Sequence, residues 1–211
     1  WGFPGPLLQA ALWPVSPRLG LEGEVPGPAT PAGVFPAPRD NELSSSNLLV
    51  VEEMLTNMGK HPAQPVQAMQ LEKYWHQKMN WYGPAGIGTA RGIESFRSCH
   101  QIPFLRAMPD RRPADAPAHF FAENNYVAVT GWPNMKMTIT SDGWMGIAPS
   151  GQSIEVRSLD FWRLENGLIR ENWVLIDILS VDDQIGVDVF SSMKQLHPRT
   201  YPRSFMERGF C

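Results

Sequence analysis

The chain has 211 residues, of which 43% are hydrophobic and 18% charged, and a formal net charge of −3. That length holds one sizeable domain with additions. The near-balanced charge, with no basic run, argues against nucleic acid or an anionic membrane as the main partner. No apolar run approaches the ~20 residues that span a bilayer, and the N-terminal stretch lacks a basic leader segment. Two cysteines, Cys99 and Cys211, make neither a disulfide framework nor a zinc spacing, which fits a reducing, cytoplasmic setting.

Nine of the 20 prolines fall in residues 1–40. Each removes a donor and restricts its predecessor, so residues 1–41 are expected to form an extended arm rather than regular structure. Leu7, Leu8, Leu12, Trp13 and Phe35 make this arm apolar enough to lie on its own domain or on a partner subunit. After "DNELSSS", Leu48, Val51, Met54, Leu55 and Met58 recur at helical spacing, and Gly59 is a plausible stop. A short helix is expected over about 63–72 and a strand over about 74–82, followed by a Gly-rich loop. A longer helix then runs from Ile93 to about Met108. It stacks Phe96, His100 and Phe104 on one face, and Pro103 predicts a kink or break.

Strands take over after "MPDRRPADAPA". Residues 119–124 and 126–137 read as one hairpin. Residues 154–164 and 168–178 read as a second, around Asn166-Gly167. A last helix is expected over about 180–196, ended by Pro198, with an irregular basic tail over 198–211. Helices, then a curved antiparallel sheet, then a closing helix define an α+β domain over 42–197. Helices packed on one face of such a sheet leave a conical hollow, and a hollow rimmed with tryptophan suits a hydrophobic small molecule.

Four blocks, "WYGPAGIGTARGIESF", "FLRAMPDRR", "GWMGIAPSGQSIEVRSLDFWRLENGLIRENWVLIDIL" and "QIG", together resemble the SnoaL-like polyketide cyclase family of the nuclear transport factor 2-like superfamily. The resemblance covers about residues 42–196 and implies an α+β cone. It also implies ring closure by an intramolecular aldol step without metal or cofactor, with an aspartate near the end of the last strand as acid/base. Matching "ENWVLIDIL" to the family's block places Asp177 in that role. The family's usual histidine on the preceding strand is replaced here by the stretch holding Asp160, Trp162 and Arg163, so the implied chemistry is acid/base chemistry in general.

On an alternating strand Glu171, Trp173, Leu175 and Asp177 share one face. A carboxylate in an apolar hollow has a raised pKa and can shuttle protons near neutrality. Alternatively Asp177 caps the helix that follows, with Ser180 as a rival cap. His100 points at the sheet, either as a proton-sharing partner or as a core histidine bonded to a carbonyl. Asp160 is either a partner of Asp177 or a solvent-side residue. Trp81, Tyr82, Trp132, Trp162 and Trp173 are core aromatics or the walls of a ligand pocket. The five histidines show no metal-binding spacing, and the glycines of 83–92 lack a nucleotide-loop pattern. The expectation is a cofactor-independent acid/base enzyme of cyclase, isomerase or hydrolase type, acting as a homodimer on a hydrophobic small molecule. A non-catalytic binding or scaffolding protein of the same fold is the alternative.

Overall fold

A computed structural model describes residues 38–60, 65–84, 86–141 and 143–196. The arm over 1–37 and the tail beyond 196 lie outside the described residues. Helix α1 (Asn41–Lys60) begins before the apolar repeat does. The carboxylate of Asp40 accepts from Leu43 N at 2.9 Å, which caps the helix. The polar residues of the first turns are then used inward: Asn124 N donates to Ser44 Oγ, and Asn47 Nδ2 donates to Asn124 O. This pins α1 to the tip of a hairpin, and Val51 and Met54 are buried beyond it.

The short helix expected over 63–72 is two 3₁₀ turns, Val66–Met69 and Leu71–Lys73. Strand β1 (Trp75–Tyr82) and the short β2 (Thr89–Arg91) follow, joined by a tight glycine-rich loop. A Cβ on Gly83 would stand 2.2 Å from the Trp81 ring, so only glycine lets the chain pass there. Helices α2 (Gly92–Phe96) and α3 (Ile102–Ala107) are one helical run interrupted by a π turn, Arg97–Gln101. The break expected from Pro103 takes this form. Pro103 has no N–H to give the previous turn, and Ile102 N reaches back five residues to Arg97 O instead.

The remaining strands are β3 (Arg112–Pro113), β4 (His119–Glu123), β5 (Tyr126–Thr138), β6 (Ser153–Glu165) and β7 (Leu168–Ile176). They form one curved sheet in the order β2-β1-β7-β6-β5-β3, with β4 also on β5. Asn166 and Gly167 both have positive φ, 51° and 74°, and close the β6–β7 hairpin as a two-residue turn. One pairing departs from the antiparallel expectation: β1 runs parallel to β7. No hairpin joins those two strands, so nothing local dictates their relative direction. The single closing helix expected over 180–196 is two, α4 (Ile178–Gln184) and α5 (Val189–Leu196). Gly186, at φ 78°, lies between them. Among the described residues no helix is long and apolar enough to cross a membrane.

Candidate functional site

The concave face of the sheet and the helical run enclose a cavity of about 120 Å³. Helix α1 contributes Met54, Leu55 and Met58 to its wall, and β1 contributes Trp75 and Trp81. The α2–α3 run adds Phe96, His100, Gln101 and Phe104, and Arg111 stands just past its end. Strands β6 and β7 supply two facing rows, Ser158, Asp160 and Trp162 against Ile176, Val174 and Asn172. These are directly paired residues of an antiparallel ladder, so they project to the same side.

Asp160 is the carboxyl group of this wall. Asn172 Nδ2 donates to its Oδ1 at 3.3 Å and Ser158 Oγ to its Oδ2 at 3.4 Å. Both bonds are long, and no cation pairs with it among the described residues. Burial therefore dominates and pushes its pKa up from 3.8 to about 7, against the smaller lowering effect of Asn172 and Ser158. His100 lies face to face with Trp81, ring centroids 4.3 Å apart, and packs against Phe96 and Phe104. Its Nδ1 is buried without a partner. Burial, helped by the nearby charge of Arg111, pulls its pKa down to about 4, so the imidazole is neutral near pH 7.

Of the residues expected at the site, the structure brings Asp160, His100, Trp81 and Trp162 together in the cavity. It does not bring Asp177, Tyr82, Trp132 or Trp173 there. Residues 171, 173 and 175 do share a face of β7, but that face is the outer one: Trp173 and Leu175 are 37% and 62% exposed. The inward residues are those at 172, 174 and 176. Because strand faces alternate residue by residue, an error of one position moves the whole set across the sheet. Asp177 lies beyond the strand, where it accepts from Ser180 N at 3.0 Å as the cap of α4. It also pairs with Arg157 at 3.5 Å on the surface. Tyr82 stacks on Trp173 outside the cone, and its hydroxyl donates to Glu171, itself paired with Arg163. Trp132 is 69% exposed beneath the Arg157 guanidinium.

Among the polar residues of the wall, Gln101, Arg111, Ser158 and Asn172 were not anticipated, and Arg111 and Asn172 bear most on the chemistry. Arg111 sits in a charged run, "PDRR", that reads as a solvated turn, and nothing local signals its inward course. Asn172 follows Glu171 next to the apolar core of the strand. Counting back from the Asn166-Gly167 turn would pair Asp160 with Trp173; a register shift between Leu164 and Arg163 moves that pairing to Val174 and brings Asn172 to the inner face. Among the described residues no cluster of three or more potential metal ligands is present.

A curved, unclosed sheet wrapped by helices around an apolar cavity with a half-buried carboxyl defines an α+β cone of the nuclear transport factor 2-like kind. The model of the SnoaL-like polyketide cyclase family matches residues 63–185, and the chain belongs to that family. Among solved structures it is similar to a putative SnoaL-like polyketide cyclase from Jannaschia sp. CCS1, with a TM-score of 0.54 and 18% identity. That match covers 71% of this chain and 97% of the other. An NTF2-like protein of unknown function from Burkholderia pseudomallei gives a TM-score of 0.52 at 17% identity over 67% and 98%. AclR, a putative hydroxylase from Streptomyces galilaeus, gives 0.51 at 18% over 68% and 97%. At these identities the likeness is one of fold. No curated protein sequence matches the chain.

Proposed function

We propose that the protein is an acid/base enzyme that moves a proton on a hydrophobic small molecule held in the cone, with Asp160 as the proton-transfer group. The observation that supports this most is a lone carboxyl in an apolar wall, with its pKa raised to about 7. A group poised there can take a proton and return it at neutral pH. Trp81 and Trp162 supply flat apolar walls for the substrate, and the neutral His100 can hydrogen-bond a substrate oxygen without competing for the proton. The reaction class is removal of a proton from carbon next to a carbonyl, a step common to aldol ring closure and double-bond isomerisation. In this proposal the protein's own side chains suffice, and Asp177 keeps the capping role its geometry supports. Cys99, a free thiol, suits a reducing cytoplasmic setting.

A suitable probe is 2-indanone, whose α-protons exchange slowly with D₂O. Exchange followed by NMR at neutral pD is expected to be accelerated by the protein. Asp160→Asn is expected to reduce that acceleration by roughly 10²–10⁴-fold. Equal rates for the two proteins, or no rate above buffer, would sink the enzymatic reading and leave a binding protein.

A homodimer belongs to the same proposal. On the outer face, Phe121, Ala128, Phe161, Trp173 and Tyr82 form one continuous cross-strand row over five strands. Leu175 and Trp132 extend it. The exposed area of its large side chains is on the order of 600 Å² per copy, so two copies face to face reach the size of a stable interface. Sedimentation of the full chain should give a dimer and Leu175→Glu a folded monomer. A monomeric wild type would point to another occupant, such as residues 1–37.

A further inference from the structure

The Arg111 guanidinium has no carboxylate partner among the described residues. Its Nη2 donates to Met58 O at 3.3 Å, while its Nε is buried with no partner at all. Burial alone shifts its pKa, downward, and no acidic neighbour offsets that. Guanidinium stays protonated at any physiological pH. The protein therefore keeps an uncompensated cation in the wall of an apolar cavity, an arrangement that is costly unless something else supplies the anion. Elsewhere the fold pairs its buried arginines: Arg97 meets Glu72 and Glu94, and Arg163 meets Glu165 and Glu171. Arg111, half-buried, has no such carboxylate among the described residues, and it faces the cavity.

The charge of Arg111 bears on His100, whereas the hydrogen bonds of Asp160 are to Asn172 and Ser158 of the sheet. The cation enters the cavity wall from the segment after the helical run and the carboxyl from the sheet. Other unpartnered polar atoms of the wall are two donors, Trp75 Nε1 and Trp162 Nε1, with Gln101 Oε1 as an acceptor and His100 Nδ1, which serves as either. A cavity of about 120 Å³ is on the scale of the ~150 Å³ cavity that takes a single benzene ring.

We propose that the ligand is a carboxylic acid, its carboxylate held by Arg111 and its single-ring or similarly compact apolar body laid between Trp81 and Trp162. This rests on reading the cavity as a ligand site and adds the class of ligand. A carboxylate is favoured over phosphate for two reasons. Its two coplanar oxygens match the guanidinium fork, and its single charge is fully balanced by one arginine, whereas a phosphate dianion would leave a net charge in apolar surroundings. Anchoring the carboxylate at Arg111 leaves the far end of the body to Asp160.

The test compares p-toluate with p-toluamide, which share shape and differ in charge, by titration calorimetry at pH 7.5. Wild type is expected to bind the carboxylate at least tenfold more tightly. Arg111→Met, close in length and apolar, should lose that preference. Arg111→Lys, which keeps the charge but not the fork, should fall between. Equal affinities in wild type, a comparison that needs no variant to fold, would overturn the inference while leaving the ligand site intact. So would a preference that survives Arg111→Met. Binding of neither probe would instead refute the reading of the cavity on which the inference stands.

Discussion

Replacing Asp160 with Asn should reverse part of the pH dependence of stability. In the native state the Asp160 carboxyl has a pKa of about 7, against 3.8 as the ordinary value. The folded form therefore holds its proton where the unfolded chain has already released it. Stability contributed by this group is fully present below about pH 4 and is lost as pH rises through about 7. At ~1.4 kcal/mol per pKa unit the whole loss is about 4 kcal/mol, and about 3 of it falls between pH 5 and 8. Asn has no proton to lose, and its amide oxygen can accept from Asn172 as the carboxyl does. The variant should therefore gain on wild type by about 3 kcal/mol between pH 5 and 8, whatever constant offset the substitution adds. Urea unfolding of both proteins at half-unit pH steps reads this difference directly, because all other titrating groups are shared. A difference that stays flat across the range would show that Asp160 is solvated and would remove the basis for its catalytic role.

His100 should act in the opposite direction. Its pKa is lowered from 6.5 to about 4, so the stability of the neutral ring is present above pH 6.5 and is lost as pH falls towards 4. His100→Phe, which keeps the ring against Trp81, should flatten that acid limb by about 3 kcal/mol in the same titration, and an unchanged limb would mean the imidazole reaches water. At Asp177, Asn should cap α4 nearly as well, with little change in melting or turnover, whereas Asp177→Ala should cost about 1 kcal/mol. A large loss of turnover in a stable Asp177→Asn protein would return the catalytic role to that residue.

Much of the fold is legible in the sequence because it is written locally. Asn166-Gly167 specifies its turn by backbone preference alone, and the Phe96, His100, Phe104 spacing fixes which side of the helix meets the sheet. The alternation of β7 is legible too, but not which set faces inward. Trp173 and Leu175 on one side are as apolar as Val174 and Ile176 on the other. A strand apolar on both faces is ambiguous by pattern, and here the apolar outer side belongs to the exposed row across the sheet. The match of "ENWVLIDIL" to the family's block points to Asp177, and that ambiguity lets the strand pattern agree, whereas the structure makes that residue the cap of α4. Arg111 was missed for a different reason. Its inward course depends on the Met58 carbonyl, 53 residues earlier in the chain, which no local pattern can announce.

The parallel pairing of β1 with β7 has a consequence for the order in which the molecule assembles. The β4–β5 and β6–β7 ladders close over turns of a few residues, whereas Trp81 meets Asn172 across about 90 residues of chain. Loop-closure entropy delays such a contact until the strands it docks on are in place. The wall carrying Trp75 and Trp81 is thus expected to be among the last parts of the cone to form. Stopped-flow refolding would show this as a late Trp81 fluorescence phase, absent in Trp81→Phe, and a Trp81 signal that rises with the hairpins would contradict it. A nascent chain would hold its hairpins well before it could hold a ligand.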